Sequence, residues 1–174
     1  MGAKHNIFLQ YPNDVFIETG SYLGDGIQMA IDAGFKKIYS IELSDKYYEI
    51  STQRFSNLDY VHVIKGESQD IIGELINKIK TPITFWLDGH YSAGDTARGK
   101  FIAPLIQELN SISKHPIKNH KIIIDDLRCW NLYNPEHGFV TSDLIKIIME
   151  INPDYILEYL DGYEPNDILT AVIK

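Results

Sequence analysis

Short apolar runs alternate along this chain with stretches whose apolar residues return every three or four positions. Val15 to Glu18 (VFIE) is a β-branched and aromatic run that ends in a carboxylate, and it predicts a first strand. Ile27, Ala30 and Ile31 then share one helical face between about Asp25 and Ala33, with Gly34 where a C-cap belongs. Lys37 to Leu43 predicts a second strand, and Ser44 is placed to cap a helix carrying Tyr47, Ile50 and Phe55. Tyr60 to Gly66 predicts a third strand, followed by a helix from Ser68 with Ile71, Ile72, Leu75, Ile76 and Ile79 turned inward. After the fourth strand, Ile83 to Gly89, a helix starts near Ala103 with Pro104 in its first turn and Leu105, Ile106, Leu109 and Ile112 inward. Lys121 to Asp126 (KIIIDD) is the most apolar strand, which places it centrally. A long polar loop, a helix capped by Ser142 and ended by Pro153, and a terminal hairpin of Tyr155–Leu160 and Asp167–Ile173 complete the chain.

Strand and helix alternating in this way predict an α/β protein with a doubly wound, mostly parallel sheet covered on both faces. Ligands in such sheets bind beyond the carboxyl ends of the strands. The 174 residues are expected to form a single domain, 1–174, with 44% hydrophobic and 23% charged residues in ordinary globular proportion. A net charge of -8 argues against a nucleic-acid backbone as the main partner, since phosphate binding needs clustered Lys and Arg. Cys129 is the single cysteine, so no intrachain disulfide is available, which fits a reducing, cytoplasmic setting. No apolar run approaches the roughly 20 residues a bilayer requires, so no membrane partner is expected.

The expected strand ends concentrate acids and glycines. The first ends in ETGSYLGDG, with Glu18, Gly20, Ser21, Gly24 and Gly26. Glycines there let the backbone approach a ligand, and a helix N-terminus favours a negative group. The second ends in Glu42, which could accept hydrogen bonds from ribose hydroxyls, and the third in Gly66, Glu67 and Ser68, where an acceptor could read an adenine amine. Singly, each could be an ordinary turn or surface charge; in this order they favour an adenosine-containing cofactor. The glycine spacing is not that of the dinucleotide fingerprint, and an acid two positions before Gly20 suits the cationic end of S-adenosylmethionine better than a pyrophosphate.

With these features the chain resembles the class I S-adenosylmethionine-dependent methyltransferases. VFIETGSYLGDG, Glu42 after YSI, KGES after the third strand and the terminal hairpin carry the resemblance, while Tyr22 stands where the commonest motif has its middle glycine. The resemblance implies a Rossmann-like seven-stranded sheet with a C-terminal antiparallel hairpin at one edge. It also implies a cofactor site drawn from Glu18, Gly20, Ser21, Gly24, Glu42, Glu67, Ser68 and Asp88.

Asp88, Asp125 and Asp126 stand at two further strand ends. Three acids in close quarters repel unless a cation joins them, and oxygen-only ligation suits Mg²⁺ or Mn²⁺. The same three match the metal positions of the metal-dependent small-molecule O-methyltransferases, of sugar and catechol type. Alternatively, Asp125 and Asp126 cap a turn and Asp88 meets the donor's amino group. His90 is the candidate general base, with Tyr91 its competitor. Gly89, Gly94 and Gly99 would let Asp95 and Arg98 ride on a lid. Arg98 and Arg128 could hold an anionic substituent of the substrate; Trp130, Tyr133 and His137 either wall the acceptor or pack their own loop down. His62 reads as structural, and His5, His115 and His120 fall in polar connections with no role assigned. The expected activity is methylation of a hydroxyl on a small molecule such as a sugar or sugar nucleotide, at an open site that a second subunit could complete. The alternatives are a metal-free N- or protein methyltransferase, a non-catalytic adenosyl-nucleotide-binding module, and a nicotinamide-dependent dehydrogenase.

Overall fold

A computed structural model describes residues 6–94 and 96–173. Seven strands form one sheet: β1 (Val15–Thr19), β2 (Lys37–Glu42), β3 (Val61–Lys65), β4 (Ile83–Leu87), β5 (Lys121–Ile124), β6 (Ile156–Leu160) and β7 (Ile168–Val172). Their order is β3-β2-β1-β4-β5-β7-β6, parallel throughout except that β7 runs antiparallel to both β5 and β6. The terminal hairpin therefore occupies one sheet edge, as the resemblance implied. The apolar β5 lies inside the sheet but one place off its middle strand, β4.

Side-chain alternation along the strands divides the interior into two layers. Ile17, Phe85, Ile122 and Ile124 face α3 (Ser68–Asn77), α4 (Leu105–Lys114) and α5 (Thr141–Ile151), whose Ile72, Leu109 and Ile148 are fully buried. Phe16, Ile38 and Ile123 face α1 (Asp25–Asp32) and residues at the end of α2 (Asp45–Arg54), with Phe55 against the same layer. A 3₁₀ turn, Ile7–Gln10, closes this second layer, its Phe8 packed edge-on to Trp86 at 5.2 Å. Sequence periodicity did not mark it, because four residues are too few to show one.

Helix starts differ from expectation where side chains have other partners. Ser68 is the first residue of α3 and Glu67 precedes it as N-cap, since the Ser68 hydroxyl is drawn to Glu108. Helix α5 starts after Val140, whose N–H donates to Asp143 at 2.9 Å, so Asp143 rather than Ser142 secures the first turn. Helix α4 begins at Leu105, two residues later than expected, with Pro104 as its N-cap. No helix among the described residues is long and apolar enough to cross a membrane.

Candidate active site

The sheet order reverses between β1 and β4, and their carboxyl ends open into a cavity of about 440 Å³. Of the residues singled out in the sequence, Gly20, Glu42, Glu67, Ser68, Asp88, His90, Tyr91 and Asp126 line it. Glu18, Ser21, Gly24, Asp125, Arg98, Arg128 and Trp130 do not. His5 and Asp95 lie outside the described residues.

Alternation explains where the carboxylates at the β1 end go. Glu18 shares its face with Phe16, so it turns beneath α1 and is only 2% exposed. Ser40 Oγ donates to Glu18 Oε2 at 2.5 Å, and the Ser21 and Ser40 hydroxyls are also 2.5 Å apart. Burial pushes the Glu18 carboxyl up to about 8. The fit is close enough that a Cβ on Gly26 would sit 1.8 Å from Glu18 Oε1. Thr19 points the opposite way, and its Oγ1 accepts the Asp88 and Gly89 N–H groups at 3.3 and 3.2 Å. Gly20, at φ +85°, then lets β1 cross close to β4, where a Cβ would stand 2.9 Å from the Asp88 carbonyl oxygen.

Glu42 faces the cavity while accepting the Tyr22 N–H at 3.0 Å on one oxygen and the Ser44 N–H at 2.7 Å on the other. Two amides fix the carboxylate and leave its remaining lone pairs to a ligand. Tyr22, at φ +45°, packs against Tyr47 with ring centroids 4.3 Å apart and planes tilted by 45°, forming an aromatic rim beside it. Glu67, the expected adenine reader, accepts the Lys100 N–H at 2.9 Å and the Gln69 side-chain amide. It therefore ties the 89–104 loop down over the β3 end, and these bonds hold its carboxyl below the usual range. Behind Ser68, Glu108 is fully buried, accepts the Ser68 hydroxyl at 2.5 Å and is pushed up to about 7 by burial. Tyr47, Gln69, Phe101, Ile102 and Glu108 carried no signal in the sequence beyond apolar or helical periodicity.

At the far wall, His90 lies between two carboxylates: Nδ1 is 3.5 Å from Asp88 Oδ1 and Nε2 is 3.2 Å from Asp126 Oδ2. Burial opposes the charged ring, but Asp88 and Asp126 outweigh it and raise the imidazole above its ordinary value. The Ser92 hydroxyl stands 3.1 Å from the same Nε2, and Trp130 meets the ring edge-on at 5.5 Å. Trp130 itself is 2% exposed and packs against His137 and Phe139, so it pins the post-β5 loop down. Arg98 faces Glu136 at 3.9 Å across the two loops and stacks over Tyr91 at 5.7 Å. Tyr133 is 67% exposed.

The three expected metal ligands do not converge. Asp88 is directed to His90, while the acids whose oxygens gather within 4.8 Å are Asp125, Asp126 and Asp167. Asp125 is held by the Asp126 N–H at 2.8 Å and is pushed up to about 7, by burial first and then by Asp88. Arg128 pairs with both Asp126 and Asp167 through the same guanidinium nitrogen. The oxygens a divalent ion would need already serve His90, Arg128 and backbone amides, so this donor set does not fit a resident Mg²⁺. Asp167, on the connection into β7, was invisible to sequence reasoning because its partner lies 39 positions away.

No protein-family model and no curated protein matches the sequence. Solved structures match its fold. An O-methyltransferase from Bacillus cereus in complex with S-adenosylhomocysteine superposes with a TM-score of 0.66 at 17% identity, over 92% of this chain and 74% of that one. TomG of Streptomyces achromogenes, an O-methyltransferase of tomaymycin synthesis in complex with S-adenosylmethionine, gives 0.67 at 13% identity, over 98% and 78%. An rRNA methylase from Streptococcus thermophilus gives 0.58 at 15% identity, over 97% and 93%. The fold is that of the class I methyltransferases.

Proposed function

We propose that this chain is an S-adenosylmethionine-dependent methyltransferase acting on a hydroxyl of a small molecule. The observation that carries the reading is the cavity at the β1/β4 reversal, with Glu42 and the Tyr22–Tyr47 pair on one side and His90 between Asp88 and Asp126 on the other. Its size is within the range of small-molecule sites. Glu42, fixed by two amides, is placed to receive ribose hydroxyls, and Gly66, Ser68 and Gln69 bound the space for an adenine.

When bound, the cofactor supplies a sulfonium methyl group whose carbon–sulfur bond breaks as the acceptor oxygen bonds to carbon. His90, in its neutral form, takes the hydroxyl proton, and Asp88 and Asp126 stabilise the imidazolium that results. The 89–104 loop, anchored through Glu67, limits water at the reacting atoms. Asp88 and Asp126 give the acceptor wall a negative cast, and the two nearby arginines are each paired with acids. That balance supports a neutral polyol, such as a sugar, over an RNA or a sugar nucleotide.

Thermal-shift measurement tests the cofactor: S-adenosylhomocysteine is expected to raise the melting temperature, NAD to leave it unchanged, and Glu42→Ala to abolish the response. No response to the adenosyl ligand in the wild type would reject the reading. S-adenosylhomocysteine release with neutral polyols, sugar nucleotides and RNA then separates the acceptor classes; turnover on RNA alone would reject the small-molecule assignment.

A further inference from the structure

The space between Asp126 and Asp167 holds a guanidinium. Arg128 Nη1 contacts Asp126 Oδ1 and Asp167 Oδ2 together. The Arg128 backbone N–H donates to Asp167 Oδ1 at 2.9 Å, and the Leu127 N–H donates to the Asp167 carbonyl oxygen at 2.8 Å. The guanidinium also lies over the Tyr163 ring at 4.9 Å. The Asp167 side chain is 1% exposed, and a buried carboxylate without a cation is strongly unfavourable. Asp126 adopts φ +61°, a left-handed conformation that Asp tolerates better than most residues. In that conformation one of its oxygens meets Arg128 and the other meets His90.

We infer that the Arg128 guanidinium fills the position a divalent cation would take between Asp126 and Asp167, so that this rim is metal-independent. A guanidinium is planar and monovalent; it can pair carboxylates and fix their orientation, but it offers no open coordination position to a substrate oxygen. The rim is thereby closed as a charge network, with His90 at its cavity side beside Asp88 and Asp126. Removing the guanidinium would leave Asp125, Asp126 and Asp167 with oxygens within 4.8 Å and no fixed cation among them, the arrangement an oxygen-seeking divalent ion favours. This inference concerns the rim alone and does not depend on which group is methylated, although its catalytic meaning rests on the methyltransferase reading.

Mn²⁺ is the probe, with free-ion electron paramagnetic resonance and thermal shift as readouts. The wild type is expected to leave the free Mn²⁺ signal and its melting temperature unchanged. Arg128→Ala is expected to melt lower and to gain a stoichiometric Mn²⁺ site, recovering about 5–10 °C at an ion concentration roughly 100-fold above its dissociation constant. A stoichiometric Mn²⁺ site in the wild type that disappears in Asp126→Asn would overturn the inference, as would an Arg128→Ala protein that folds and binds no Mn²⁺. Should Arg128→Ala fail to fold, the wild-type measurement and its Asp126→Asn control decide alone. Loss of the S-adenosylhomocysteine response with no wild-type Mn²⁺ site would instead fault the cofactor reading and leave this inference standing.

Discussion

Histidines stand at both ends of strands β4 and β5, and they meet different partners there. At the amino ends, His115 and His120 are both fully buried. His120 Nδ1 accepts the Ile83 N–H at 3.0 Å, its Nε2 lies 2.9 Å from His115 Nδ1, and His115 Nε2 lies 3.1 Å from the Ile79 carbonyl oxygen. One proton in each gap satisfies every ring nitrogen in this line. Burial and the neighbouring His115 push His120 down to about 4. At the carboxyl ends, His90 has carboxylates on both sides and is shifted the other way. His90 is partly exposed to the cavity where the other two rings are fully buried, and the partners differ as well. Backbone groups accept a neutral ring and brace the strand entries, whereas carboxylates hold a ring ready to carry a proton.

The contrast can be broken by substitution. His90→Ala is expected to lower turnover by about 10²- to 10⁴-fold while leaving S-adenosylhomocysteine affinity nearly intact, as measured by product release and titration. Equal loss of affinity would assign His90 to the cofactor instead. His120→Ala should do the reverse, sparing the cavity but stranding the Ile83 N–H and His115 Nδ1. At about 1–3 kcal/mol for each, plus the space left, a loss of about 4 kcal/mol and a melting temperature lower by about 10 °C are expected in calorimetry.

The pH dependence sharpens the same comparison. The unfolded chain takes up the His120 proton near 6.5 and the folded chain only near 4, so this residue withdraws about 3 kcal/mol of stability as pH falls across that window. Glu18 and Glu108, pushed up to about 8 and 7, act in the opposite sense, so the wild-type curve alone does not isolate the histidine. The stability gap between wild type and His120→Gln, which cannot bind that proton, should therefore shift by about 3 kcal/mol in favour of the variant between pH 7.5 and 4. A gap independent of pH would show that His120 takes up its proton alike in the folded and unfolded chains. The smallest effect is expected at the other end: turnover rises as His90 loses its proton, with a midpoint above 6.5, and Asp126→Asn moves that midpoint to lower pH.

Much of this was legible residue by residue. Ile27 with Ala30 and Leu105 with Leu109 marked their helices because periodicity is a local property, and Glu42, Asp88 and Asp126 stood out because strand ends are where a parallel sheet exposes chemistry. His115 and His120 read as polar-loop residues because nothing local reveals that Ile79 and Ile83 lie beside them. Trp130 could equally wall the acceptor or pack its own loop, and Glu18 stood at a strand end before a glycine turn; burial of both depends on neighbours that spacing does not show.

The sequence by itself determined the succession of strands and helices, the antiparallel hairpin, and which acids and histidines stand at the strand ends, since each depends on spacing along the chain. Only the tertiary structure decided which partners those groups meet. Asp167 reaches Arg128 across 39 positions, Glu67 holds the Lys100 amide, and Glu18 turns under Gly26. Partnership sets charge, because a carboxylate or imidazole in a buried site takes the protonation state that its nearest neighbours stabilise.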